Sequence, residues 1–74
     1  METHIVDASN LLCPLPVIRL QQAVNRVPKG TTIAVICSDP GVEEDIPAWC
    51  EVHGHEYIKT EKEKNKLTLF VKTC

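Results

Sequence analysis

Cys13 is the residue of this chain best suited to chemistry. It stands in Leu11-Leu12-Cys13-Pro14-Leu15-Pro16, after a short apolar run and before an amphipathic one. A thiol at a helix start can be held as thiolate, because unpaired N–H groups and the positive dipole end favour the anion. Pro14 and Pro16 alter that setting. Proline fixes its own φ and pushes the preceding residue to extended dihedrals. Cys13 is thus expected just outside a helix, on a stiff backbone, presented to another protein. The prolines also lack N–H groups, so only Leu15 and Val17 can donate in this first stretch. Activation of the thiol should therefore be modest. The plainer alternative is a small apolar residue beside a proline helix start.

The other cysteines are Cys37, Cys50 and Cys74. Cys37 ends an apolar β-branched run and Cys50 shares a helical face with Ile46, so both read as core. Cys74 is a terminal thiol with no role derivable from its position. Four cysteines allow two disulfides, but a chain with a credible core in a reducing compartment needs none. There is no C-x-x-C pair, and the spacings match no zinc finger or ribbon. His53 and His55 lack a third ligand at useful spacing and read as polar residues near a turn. No metal or resident cofactor is expected.

Those thiols must be held by a small scaffold. Seventy-four residues make one domain, 1–74, with one modest core. Hydrophobic residues are 43% and charged residues 24%, which indicates a globular chain. A net charge of −2, with one Trp, one Tyr and one Phe, disfavours direct nucleic-acid binding. No apolar run is long enough to span a membrane, and residues 1–12 lack the pattern of a signal peptide. A cytoplasmic location is expected.

Thr3–Asp7 reads as a short strand, and Ala8-Ser9-Asn10 as a turn in which Asn10 tolerates a left-handed dihedral. From Leu15 to Val27, Val17, Leu20, Val24 and Val27 recur at helical spacing, and Pro28-Lys29-Gly30 ends the helix. Thr31–Cys37 is β-branched and apolar, as in a central strand. Asp39 is a plausible cap for a turn starting at Pro40. Asp45, two residues before Pro47, looks like a second cap, so residues 40–53 suggest a turn followed by a helix from about Asp45. Gly54 stops it. Glu56–Glu61 and Leu67–Thr73 read as strands joined by a charged loop, Lys62–Lys66.

The order is β-α-β-α-β-β. Right-handed crossovers place two helices on one face of a four-stranded mixed sheet, an α/β (α+β) two-layer sandwich. The other sheet face, with Thr32, Ala34 and Ile36, is half apolar and is a candidate partner surface. If the first two strands are parallel, Cys13, Cys37 and Asp39 approach one sheet edge, where reactive groups favour sitting. Leu11, Leu12, Cys13, Pro14 and Asp39 then form the expected docking edge, with at least one leucine exposed. Arg19 and Arg26 are expected to dress the first helix for an acidic partner. The charged loop around Lys64 is expected at the opposite end of the sheet, solvated rather than functional.

The stretch Val6-Asp7-Ala8-Ser9-Asn10-Leu11-Leu12-Cys13-Pro14-Leu15-Pro16 resembles the signature of the TusA/SirA-like sulfur-carrier family, whose hallmark is C-P-x-P opening the first helix. Ser38-Asp39-Pro40-Gly41, Asp45-Ile46-Pro47-Ala48-Trp49-Cys50 and Gly54-His55-Glu56 continue the likeness in the family's order and at its length. Asn10 stands where a glycine is usual, and both accept a left-handed turn. The resemblance covers nearly the whole chain. It implies a two-layer α/β sandwich and a sulfane sulfur carried as a transient persulfide on Cys13, with Pro14, Pro16 and Asp39 as supporting motif. It also implies a cysteine desulfurase or rhodanese-like donor and a downstream sulfur-relay protein. The destinations it implies are tRNA 2-thiolation, molybdenum-cofactor supply or sulfur oxidation. The competing reading is a redox-sensing or interaction module in which Cys13 pairs with Cys37 or a partner thiol.

Overall fold

The computed structural model describes residues 3–12 and 14–74. Its elements are β1 (Thr3–Ala8), α1 (Leu15–Val24), β2 (Thr32–Cys37), α2 (Val42–His53), β3 (Glu56–Glu63) and β4 (Lys66–Lys72). The strands form one sheet in the order β1-β2-β4-β3, parallel between β1 and β2 and antiparallel elsewhere. This is the expected mixed sheet with its expected element order.

The core lies between the helices and one sheet face. Ile33, Val35 and Cys37 of β2 pair with Val71, Leu69 and Leu67 of β4. Leu20 and Ala23 from α1 and Val42, Ile46 and Cys50 from α2 join them. Alternation along β2 and β4 puts their other residues on the open face. There Ala34 pairs with Ile5 and with Phe70. It is only 5% exposed, walled in by those two larger side chains. The Lys59 ammonium lies 5.1 Å from the centre of the Phe70 ring. The half-apolar face is thus partly covered by its own chain.

Three boundaries differ from the sequence expectation by more than one residue. α1 stops at Val24 instead of Val27. Arg26 N–H turns back to the Ala23 carbonyl at 3.0 Å, a tightened last turn. Val27 precedes Pro28 and is pushed out of helical dihedrals. α2 starts at Val42, not near Asp45, and contains Pro47 within it. Successive N–H groups of Val42, Glu43 and Glu44 reach the carbonyls of Asp39, Pro40 and Gly41. The expected turn at Pro40 thus runs straight into the helix. The Asp39 carboxylate accepts the Gly41 N–H at 3.0 Å, which starts that turn. Gly54 ends α2 in the left-handed conformation (φ 78°).

The third difference matters most. β3 and β4 extend towards each other until only Lys64 and Asn65 turn the chain, with Lys64 at φ 43°. Ala8 pairs with Cys37, Cys37 with Leu67, and Leu67 with Lys62, one row across all four strands. The hairpin tip therefore projects from the same sheet end as residues 9–12, not the opposite one. At the far end, Thr73 N–H reaches Thr31 O at 2.9 Å, and the buried Thr73 hydroxyl donates to Pro28 O at 3.0 Å.

Candidate functional site

The end of the sheet beyond Ala8 and Cys37 gathers the first turns of both helices, residues 9–12, the Ser38–Gly41 turn and the hairpin tip. Cys13 lies outside the described residues, and its setting is defined by the residues on either side. Asp7 anchors the turn. Its carboxylate accepts the Ser9 hydroxyl and the Ser9 N–H, and these two bonds hold it below the usual carboxylate range. Asn10 takes φ 64°, the left-handed conformation expected of it, and its N–H donates to the Ser38 hydroxyl at 2.8 Å.

The two leucines separate. Leu11 packs against the core and Leu12 is 73% exposed. Leu12 carries on into a ridge with Leu15 and Ile18, spaced three residues apart and both exposed. Pro14 caps α1 and is exposed, whereas Pro16 is buried beneath the first turn. The donors at this helix start are fewer than the sequence suggested. Leu15 N–H is spent on the Leu12 carbonyl at 2.9 Å, and Ile18 N–H goes to Pro14 O at 3.1 Å. Pro16 has no N–H to offer.

Of the described cysteines, Cys37 and Cys50 are fully buried and Cys74 is exposed. Burial pushes the Cys37 thiol up to about 11, and the Asp39 carboxylate adds to the effect. Burial also pushes Cys50 up to about 11, with Cys74 adding to it. Cys74 belongs to the far end, where its N–H meets His55 Nδ1 at 3.2 Å. Six residue pairs of the β1–β2 ladder separate that end from residues 9–12, a distance of roughly 20 Å at about 3.3 Å per residue. His53 and His55 pack on Trp49, with ring centres 4.7 and 5.2 Å from it.

Arg19 does not face the sheet end with Leu12. It lines a groove beside β1 together with Arg26. The cation beside the docking edge is instead the hairpin's. A cleft of about 480 Å³ runs between the Ser38–Pro40 turn and Lys62, Lys64 and Lys66. Lys62 is fixed there by Glu43 at 2.8 Å. The placement follows from the pairing, because a hairpin whose second strand runs antiparallel to β2 must turn at β2's C-terminal end.

The family model described as Sulfurtransferase TusA matches residues 4–73. The sulfur carrier protein TusA of Pseudomonas syringae pv. syringae (strain B728a) is 36% identical over 67 residues, which are 90% of this chain and 80% of that protein. A relative from Aquifex aeolicus (strain VF5) is 37% identical over 71 residues, 96% of this chain, but the chain spans only 36% of that protein's length. The crystal structure of a SirA-like protein from Desulfitobacterium hafniense superposes with a TM-score of 0.77 at 23% identity, covering 96% of each chain. That last likeness shows the fold alone.

Proposed function

This chain belongs to the TusA family of sulfurtransferases, and we propose that it relays sulfane sulfur as a persulfide on Cys13. One observation supports this thiol over the others. Cys37 and Cys50 are sealed in the core, and Cys74 lies at the far end of the sheet. A partner docking on the Leu12 ridge would meet Cys13 next to it in sequence.

The chemistry is two balanced displacements. Cys13 thiolate attacks the outer sulfur of a donor persulfide, the donor S–S bond breaks, and the donor thiolate leaves. A recipient thiolate then attacks the outer sulfur of the Cys13 persulfide and regenerates Cys13 thiolate. No electron acceptor is needed. A helix start with few donors suits a carrier, since a moderately acidic thiol both attacks and leaves at useful rates.

The donor in this reading is a cysteine desulfurase or a rhodanese-like protein, and the recipient is a downstream relay protein. The sulfur would end in tRNA 2-thiolation, molybdenum-cofactor supply or sulfur oxidation. The setting would be a reducing compartment such as the cytoplasm. A redox switch through Cys37 would need a buried thiol with a raised pKa to come out of the core. The test is loading by a desulfurase and cysteine, followed by mapping of the added sulfur. Loading on Cys13 supports the relay, and a Cys13–Cys37 disulfide in its place refutes it.

A further inference from the structure

The two edges of the sheet are built differently. β3, at one edge, carries a bulge at Ile58 and a run of charges from Lys59 to Glu63. Bulges and edge charges are the usual means of preventing a further strand from pairing. β1, at the other edge, has neither lysine nor proline, and five of its six residues are exposed or half-buried. Its outward N–H and C=O groups form a template for one more strand.

A groove of about 190 Å³ runs along that edge between His4–Asp7 of β1 and the side chains of Arg19 and Gln22 from α1 and Arg26 from the turn after it. Arg19 and Arg26 are the chain's only two arginines. Arg19 lies in α1 and Arg26 in the tightened turn that follows Val24, seven residues on, roughly 10 Å along the helix direction. An added strand advances about 3.3 Å per residue and shows every second side chain to one face. Carboxylates two to four residues apart, roughly 7–13 Å, bracket that spacing.

We propose that the β1 edge and the Arg19–Arg26 groove together bind an extended acidic segment of a partner protein by strand addition. Backbone bonds to β1 supply the pairing, and the two guanidinium groups select carboxylates on the face of the segment turned to α1. The surface is separate from the Cys13 end, so a partner could hold the carrier here while its sulfur site works at the sheet end.

The test uses the Cys13→Ser chain, which keeps sulfur chemistry out of the readout. The probes are an acetylated nine-residue peptide alternating valine and glutamate, its valine–lysine counterpart and a short single-stranded RNA. Amide shifts and hydrogen exchange of Thr3–Ala8 are followed during titration. The expected result is saturable binding of the glutamate peptide, with slowed exchange at alternate β1 amides. Arg19→Gln/Arg26→Gln should weaken it roughly tenfold, and the lysine peptide should bind at least as weakly. Both arginines are exposed, so the double variant should remain folded. Equal binding of both peptides, shifts centred outside β1 and α1, or undiminished binding by the double variant would overturn the proposal. So would pairing of β1 with a second copy in preference to the peptide, or tighter binding of the RNA at the same groove.

Discussion

The Ser38 hydroxyl accepts the backbone N–H of Asn10 at 2.8 Å, so the end of β2 holds the turn from which the Cys13 loop departs. Asn10 is left-handed at φ 64°, a conformation that β-branched residues adopt only with strain. Asn10→Gly should change stability by less than about 0.5 kcal/mol, and Asn10→Val should cost about 1–2 kcal/mol. Ser38→Ala should cost under about 1 kcal/mol and slow sulfur acceptance from a protein donor. Denaturant unfolding and single-turnover loading measure the two effects.

The two leucines should part company in the same assays. Leu11 packs on the core, so Leu11→Ala should cost roughly 1–3 kcal/mol. Leu12 is 73% exposed, and Leu12→Ser should stay within about 0.5 kcal/mol of wild type. If the ridge docks partners, Leu12→Ser should nevertheless raise the KM for a desulfurase severalfold. An unchanged KM would remove Leu12 from the docking surface.

The hairpin shares the sheet end of the Cys13 loop, and β4 lies two strands from β1. That is roughly 10 Å, inside the footprint of a standard interface of about 800 Å² per partner. Lys64→Glu should therefore change the KM for a protein donor, with an effect that shrinks as salt rises. Lys29→Glu, at the far end, should not. Equal effects from the two variants would show that only net charge is being sensed.

Cys37 and Cys50 should make the fold sensitive to alkali. Burial raises both from 9.0 to about 11 in the folded chain. The unfolded chain loses these protons first. Their contribution to stability is thus complete below about pH 9 and is lost as pH rises through 11. Chemical denaturation at pH 7 and pH 10.5 should show a larger drop for wild type than for Cys37→Ala/Cys50→Ala. Cys50→Ala alone should cost roughly 1 kcal/mol at pH 7 and leave sulfur acceptance intact.

Much of this was legible in the residues. Period-2 and period-3.6 patterns gave six elements in the right order, and Gly54 and Asn10 marked their turns by conformational need. The start of α2 was hidden because Asp39 and Asp45 both look like caps. Only the bonds from Val42, Glu43 and Glu44 back to residues 39–41 show that the first turn is continuous. Helical spacing marked Arg19 and Arg26 as exposed but did not show which flank of α1 they take; the groove beside β1 shows that. The hairpin was misplaced because composition marks a charged loop as solvated without fixing its end of the sheet. That end follows only once β4 is paired with β2.

The central claim is that Cys13 alone carries transferable sulfur. The chain is incubated with a cysteine desulfurase and cysteine, digested without reductant, and mapped by mass spectrometry. One added sulfur atom, about 32 Da, should appear on Cys13 and pass to an added recipient thiol, while Cys13→Ser acquires none. Full loading of Cys13→Ser, or equal labelling of Cys37, Cys50 or Cys74, would contradict the account.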